Sequence, residues 1–187
     1  MSKTTPFHND SYYHIYNRGN NKEVIFKSHS DYLFFLGLLK KYILPIAKIY
    51  AYCLLSNHFH LLVKINNAEI NKAKIVEQQF SNLFNAYAKT FNIRHNRCGK
   101  LFSERFKRKE VKDNDYLLQL IYYIHSNPQR HKIIRDFRDY PYSSYHTFLS
   151  IKETAIERNE VLTWFSGKEA FETYHLAEHE QFLFNED

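Results

Sequence analysis

Cysteine is nearly absent from this chain of 187 residues: Cys53 and Cys98 stand alone and far apart, so neither a disulfide framework nor a thiolate zinc cage can be built. Glycine and proline number four each, which excludes collagen and Pro/Gly-rich disorder. Long apolar runs are missing too. The best of them, such as Tyr32–Leu39, fall far short of the ~18 residues that span a bilayer. Met1–Asp10 has no apolar core of the kind a secretory signal needs, so the expected location is the cytoplasm, with no membrane partner. What is present is the composition of a globular protein, 44% hydrophobic, 17% aromatic and 25% charged. A chain of this length buries ~70% of its unfolded surface, enough for one well-cored domain, with or without an appendage.

The net charge of +6 conceals a division. Ile151–Asp187 carries 9 acidic and 3 basic residues, a local −6, and leaves +12 on Met1–Ser150. Half of that excess lies between Ile93 and Lys112, where Arg94, Arg97, Lys100, Arg105, Lys107, Arg108, Lys109 and Lys112 face only Glu104 and Glu110. A concentrated positive strip attracts polyanions by releasing their condensed counterions. These eight residues are therefore the candidate nucleic-acid contacts. The competing reading is a solvated basic face.

Tyr12–Tyr16 alternates as a strand does, and Asn17-Arg18-Gly19-Asn20-Asn21 reads as a loop. Ser30 or Asp31 can cap a helix to about Ile43, before Pro45. Ile46–Leu55 and His58–Ile65 form a hairpin signal around Ser56-Asn57, a weaker turn than Asn-Gly. Apolar residues from Ile70 to Phe91 predict a long helix over Ala68–His95 with an early break. Phe106–Lys112 reads as a strand, and Asp113 or Asp115 starts a helix expected to stop before Pro128. This order predicts an α+β domain over residues 1–150, with helices on one face of a small antiparallel sheet. Residues 151–187 are expected to be an acidic, helical C-terminal appendage. Its apolar residues Val161, Leu162, Trp164, Phe165, Phe171 and Tyr174 should fold back on the domain.

His58-Phe59-His60 lies inside the second strand of the hairpin, and the two-residue period sends both imidazoles to one face. Two histidines on one face of an apolar strand each need a partner, and a shared metal ion would satisfy both. A pair of hydrogen-bonded or edge histidines is the alternative.

Four ordered blocks carry a resemblance. Tyr13-His-Ile-Tyr-Asn-Arg-Gly19, Tyr50 to Val63, Gly99-Lys-Leu-Phe102 with Arg105-Phe-Lys107, and Tyr123-Ile-His-Ser-Asn-Pro128 are similar in order and spacing to the single-tyrosine HUH transposases of the IS200-like class, above all their REP-associated tyrosine transposase branch. Tyr142-Ser-Ser-Tyr145 matches a late family motif, so the resemblance covers about residues 12–148. It implies the ferredoxin/RRM-like HUH fold, and metal-dependent cleavage and joining of single-stranded or hairpin DNA in transposition. It also implies Tyr123 as nucleophile and Asn127, four residues later on the same helix face, as third metal ligand beside His58 and His60. Asn127 can equally cap its helix ahead of Pro128. Tyr122, ~100° round the helix, is the rival nucleophile.

The resemblance implies Mg²⁺ or Mn²⁺ as the ion and a 5′-phosphotyrosine intermediate with a free 3′-OH. It favours a monomer acting in cis over a homodimer exchanging tyrosine helices. This chain departs from the family pattern at Asn127-Pro-Gln-Arg-His-Lys132 and at Phe102-Ser-Glu-Arg-Phe106, and neither departure is expected to touch the active site. Two other functions fit the residues less fully: a domesticated, catalytically idle DNA-structure binder, and an RNA phosphodiesterase using His58 and His60.

Overall fold

The computed structural model describes residues 5–66 and 72–184. Four strands, β1 (Tyr12–Arg18), β2 (Ala47–Leu55), β3 (His58–Ile65) and β4 (Lys107–Val111), form one antiparallel sheet in the order β2-β3-β1-β4. The helices are α1 (His29–Leu38, prolonged by a π-turn over Leu39–Ile43), α2 (Lys72–Arg94), α3 (Asn114–Arg130), α4 (Tyr145–Leu149), α5 (Arg158–Trp164) and α6 (Lys168–Phe184). The start of the helix expected from Ala68 lies outside the described residues. No helix among the described residues is long and apolar enough to cross a membrane.

The helices occupy both faces of the sheet, which corrects the expectation of one. Tyr13, Ile15, Leu54, Phe59, Leu61, Val63 and Ile65 meet Phe35 of α1 and Phe80, Leu83, Phe84, Tyr87 and Phe91 of α2 in a first core. Tyr50, Cys53, Leu55 and Leu62 meet Leu117, Leu120, Ile121 and Ile124 of α3 in a second. Because β3 is central and covered on both sides, its Leu61-Leu62-Val63 run is continuously apolar, with Leu61 and Val63 in the first core and Leu62 in the second. Alternation in β1 and β3 divides side chains between the cores without revealing that the polar-looking side is also covered.

The second core extends through Phe137, Tyr145 and Phe148 to Val161, Phe165 and Phe171. Residues 151–187, expected as an appendage, are helical in α5 and α6, and Trp164 stacks on Tyr50 with ring centres 5.1 Å apart. The preceding connector covers the β2 edge: Leu54 N–H donates to Tyr142 O at 3.0 Å and Ser144 N–H to Tyr52 O at 2.9 Å. A sheet edge covered in this way has no free ladder to pair with another chain.

The weak Ser56-Asn57 turn is held by tertiary bonds. Ser56 O accepts from Ile25 N–H at 2.7 Å and Asn57 O from Gly19 N–H at 2.8 Å. Gly19 is needed there because a Cβ would sit 2.0 Å from Glu23 O. Helix α3 runs through Pro128 instead of stopping before it. Pro128 stands two residues from the helix end, where a missing N–H costs one bond, and the chain recovers at His131, whose N–H donates to Asn127 O at 3.0 Å.

Asp31 joins α1 to α2. Its carboxylate accepts from the Lys27 and Ser28 N–H groups at the start of α1, each at 3.0 Å, and from Arg94 at 2.6 Å and His95 at 2.9 Å. The cap is therefore Ser28, with Asp31 in the third position of the helix. Burial alone would raise the Asp31 pKa; the bonds from Arg94, His95, Lys27 and Ser28 outweigh it and hold the carboxyl below its ordinary value. Asp31→Asn should cost about 3 kcal/mol in urea unfolding at pH 7, the scale for breaking a buried ion pair. Because the folded pKa is lowered, that advantage exists above the ordinary carboxylate pKa and disappears as pH falls through the folded value. The difference between variant and wild type should therefore narrow as pH falls from 5 toward 3.

Candidate active site

On the α3 face of the sheet the register fixes five polar side chains. Tyr16 pairs with His60 and Arg18 with His58, and His14, two residues before Tyr16, points the same way. His14 Nε2 lies 2.9 Å from His60 Nδ1, and His58 Nδ1 lies 2.6 Å from Asn57 Oδ1. Both members of the His pair thus have Nδ1 engaged by a protein partner. That leaves Nε2 as the nitrogen a metal ion would take, the arrangement that fixes ring orientation in metal sites.

Helix α3 brings Tyr123 to this row. Its ring centre is 5.6 Å from that of His60 and 6.2 Å from that of His14, both edge-on. The Arg130 guanidinium lies 5.5 Å from the Tyr123 ring centre. Tyr122 goes elsewhere: it is buried, with its hydroxyl 3.2 Å from His179 Nδ1 on α6. Asn127 is also buried. Its Nδ2 donates to Tyr123 O at 2.8 Å, while Oδ1 has no hydrogen-bond partner among the described residues. The carboxamide lies near enough to the His58 ring to favour its protonated form. A buried carbonyl oxygen without a partner costs about 1–3 kcal/mol, which a cation there would relieve.

All three imidazoles are held uncharged. Burial lowers the pKa of His14 to about 4, with Lys109 adding to the effect, and lowers that of His58 to about 4, with His131 and Arg18 adding. His60 lies well below its ordinary value through burial, then through His14, His58 and His131. Neutral rings keep the lone pairs that metal ligation uses. Among the described residues no three His, Cys, Asp or Glu side chains are gathered to hold an ion, so the set that fits is two imidazoles and the Asn127 oxygen.

The predicted basic strip is divided by the fold. Arg94 is paired with Asp31 at 2.6 Å, Arg97 with Glu23 at 2.5 Å and Arg108 with Glu77 at 2.7 Å, so the three arginines among the eight cations that pair this closely serve the chain's own carboxylates. Lys100, Arg105, Lys107, Lys109 and Lys112 are exposed. Lys107 pairs with Tyr16 and Lys109 with His14, which puts both on the histidine face. Lys100 and Arg105 instead line a groove of about 760 Å³ between α2 and residues 99–106 that contains neither Tyr123 nor the histidines. Lys112 lies beside Glu110 at 3.4 Å.

Five residues near Tyr123 and the His pair had no role in the sequence reading. His14, Tyr16 and Arg18 occupy alternate positions of β1, and that period was the signal. His131 was missed for another reason, because the stretch after Pro128 was expected to stay clear of the site. Instead the His131 ring packs 4.7 Å from that of His58, and Arg130 lies over Tyr123, since helix α3 does not end at the proline.

A small antiparallel sheet with a His-x-His pair on the face that receives a helix-borne tyrosine is the arrangement that the sequence resemblance implies. No family model matches the chain. A curated protein of Haemophilus influenzae named as a REP-associated tyrosine transposase is 28% identical over 101 residues, 51% of this chain and 57% of that protein, so the match spans little more than half of the relative. A solved structure of a REP-associated tyrosine transposase bound to a REP hairpin has the same fold, with a TM-score of 0.60 and 15% identity over 80% of this chain and 84% of that one. The chain is thus similar to REP-associated tyrosine transposases in sequence and in fold.

The lowered histidine pKa values predict an acid response of the metal-free protein. Unfolded histidines take up protons near pH 6.5 while His14 and His58 resist until about 4, so stability should fall as pH drops through that window. Urea midpoints measured with chelator at pH 7, 6 and 5 should decline, with a shallower slope for His14→Gln. Equal slopes would mean that His14 titrates normally in the folded chain.

Proposed function

We propose that the protein is a metal-dependent endonuclease and strand transferase of single-stranded or hairpin DNA, working through a 5′-phosphotyrosine intermediate in transposition. The observation that carries this is Tyr123 lying against the His60 and His14 rings while the buried Asn127 oxygen, one helical turn on, lacks a partner. The similarity to REP-associated tyrosine transposases, one of them solved with a REP hairpin, supports DNA as the substrate.

His58, His60 and Asn127 would hold Mg²⁺ or Mn²⁺, which when bound polarises the scissile phosphate and favours departure of the 3′ oxygen. Tyr123 Oη attacks phosphorus, the P–O3′ bond breaks, the phenol proton is lost to solvent and the 3′ oxygen leaves as a hydroxyl after taking up a proton. A phenol with a pKa of ~10 is phenolate about once in a thousand at pH 7, a deficit of ~4 kcal/mol. Holding Tyr123 beside the phosphate offsets that deficit by replacing a bimolecular encounter. Arg18, Lys107, Lys109 and Arg130, from three elements bordering the site, bring positive charge to the phosphates on either side of the scissile one. The phosphotyrosine ester conserves the bond, so a second 3′-OH can displace Tyr123 and join strands. A site assembled within one chain is supported by the 5.6 Å between Tyr123 and His60 of the same protomer, and we propose a monomer acting in cis.

Incubation with labelled hairpin-bearing single-stranded DNA and Mn²⁺, followed by denaturing electrophoresis, should yield a protein–DNA adduct. Tyr123→Phe should abolish it with DNA affinity nearly unchanged, and His58→Ala with His60→Ala should abolish both the adduct and Mn²⁺ binding. Adduct retained by Tyr123→Phe rules out the assignment. Restored cleavage on mixing the tyrosine and histidine variants would contradict action in cis.

Neutralising Lys107 and Lys109 together should lower the slope of log K against log salt by up to ~0.7 per lost contact on single strands. Neutralising the paired Arg94 should leave that slope alone and cost stability instead. Equal effects on the slope would mean that the division of the basic strip by the fold has no bearing on DNA binding.

A further inference from the structure

Behind Tyr123, helix α3 carries a buried polar chain that the chemistry above does not use. His125 lies two residues after Tyr123 and two before Asn127, so its side chain projects ~200° round the helix from both. It is fully buried. His125 Nδ1 is 2.9 Å from His175 Nε2 on α6, and His125 Nε2 is 2.8 Å from Ser144 Oγ. His175 Nδ1 lies 2.8 Å from Phe171 O, and Tyr52 N–H on β2 donates to Ser144 Oγ at 2.9 Å.

The two ends of this chain dictate every proton in it. Phe171 O can only accept, so His175 carries its proton on Nδ1 and presents a lone pair at Nε2. His125 must then donate from Nδ1 and accept at Nε2. The Ser144 hydroxyl accordingly donates to His125, although Tyr52 O lies 3.2 Å from the same oxygen, and Ser144 accepts from Tyr52 N–H. Both rings are buried with no carboxylate among these partners, so both remain uncharged. Every nitrogen and oxygen in the run is satisfied in one arrangement only. Removing one member leaves a buried polar atom without a partner.

We infer that His125, His175 and Ser144 are positioning residues for Tyr123 and Asn127, a relay that clamps the last turns of α3 between the β2 edge and α6. Ser144 is a rigid anchor because its own N–H bonds Tyr52 O in the covered edge of the sheet. His175 ties the same turn of α3 to the C-terminal helix, so α6 takes part in aligning the turn that carries Tyr123 and Asn127. A displacement of ~1 Å in a reacting group can cost up to ~100-fold in rate, so a clamp on the nucleophile's helix bears on chemistry more than on DNA binding. It also gives Tyr123-Ile-His-Ser-Asn-Pro128 and Tyr142-Ser-Ser-Tyr145 a shared physical basis, since His125 of one bonds Ser144 of the other.

This inference rests on the functional reading above, and the test separates the two. Single-turnover cleavage of the labelled hairpin DNA with Mn²⁺, DNA Kd and the melting transition are compared for wild type, His175→Leu, His175→Gln and Ser144→Ala, all assayed well below their transitions. His175→Leu should lose about tenfold or more in rate with Kd within about twofold. His175→Gln, which keeps an acceptor for His125 Nδ1–H, should recover most of that loss, and Ser144→Ala should reproduce the loss from the other end. Wild-type rates in His175→Leu and Ser144→Ala would overturn the relay alone, as would a rate loss that tracks DNA affinity or that glutamine does not rescue. A wild-type protein that forms no adduct would overturn the functional reading and this one with it.

Discussion

The antiparallel register of β1 against β3 is the constraint on which the rest depends. With Tyr16 opposite His60 and Arg18 opposite His58, alternate residues of two neighbouring strands, His14, Tyr16, Arg18, His58 and His60, fall on one face. A slip of one residue would exchange that whole row with Tyr13, Ile15, Phe59 and Leu61, which belong to the first core, and would bury the histidines among phenylalanines. The packing of Phe59 between Phe35 and Phe84 therefore specifies where the imidazoles point as firmly as any bond they make themselves.

Helix α3 is the second half of that constraint. One stripe, Leu117, Leu120, Ile121 and Ile124, seats it on the sheet, and another carries Tyr123 and Asn127 to the histidine row. The same helix is thus a core element and the carrier of Tyr123. The division of charge follows a similar logic: arginines that join α2 and β4 to neighbouring elements are held in ion pairs, whereas the lysines of β4, which make no ion pair among the described residues, remain exposed beside the site.

Much of this was legible in the sequence. Strands β1 to β4 and helices α1 to α3 followed from alternation, helical spacing and caps, and His58 and His60 share a face because a strand has a period of two. What sequence could not show depends on what covers each surface. Alternation in β1 cannot tell a solvated face from one under a helix, so α3 on the second face, and with it His14, went unread. Net charge cannot reveal that Arg94, Arg97 and Arg108 have carboxylate partners far along the chain. Pro128 was read as a stop by local rules, but packing of α3 keeps the last turn helical and carries Arg130 and His131 into the site. The resemblance to REP-associated transposases supplied roles for Tyr123 and Asn127 that spacing alone would have left open.

The central claim is that the oxygen of Tyr123, and of no other residue, becomes bonded to DNA. The direct measurement is mass spectrometry of the protein after reaction with hairpin-bearing single-stranded DNA and Mn²⁺, with the DNA trimmed by nuclease and the protein digested. The account predicts one modified peptide, with fragment ions that place a 5′-nucleotide phosphate on Tyr123. Modification of Tyr122, which is turned toward His179 and away from the histidine row, would contradict it, as would cleaved DNA with no modified peptide at all.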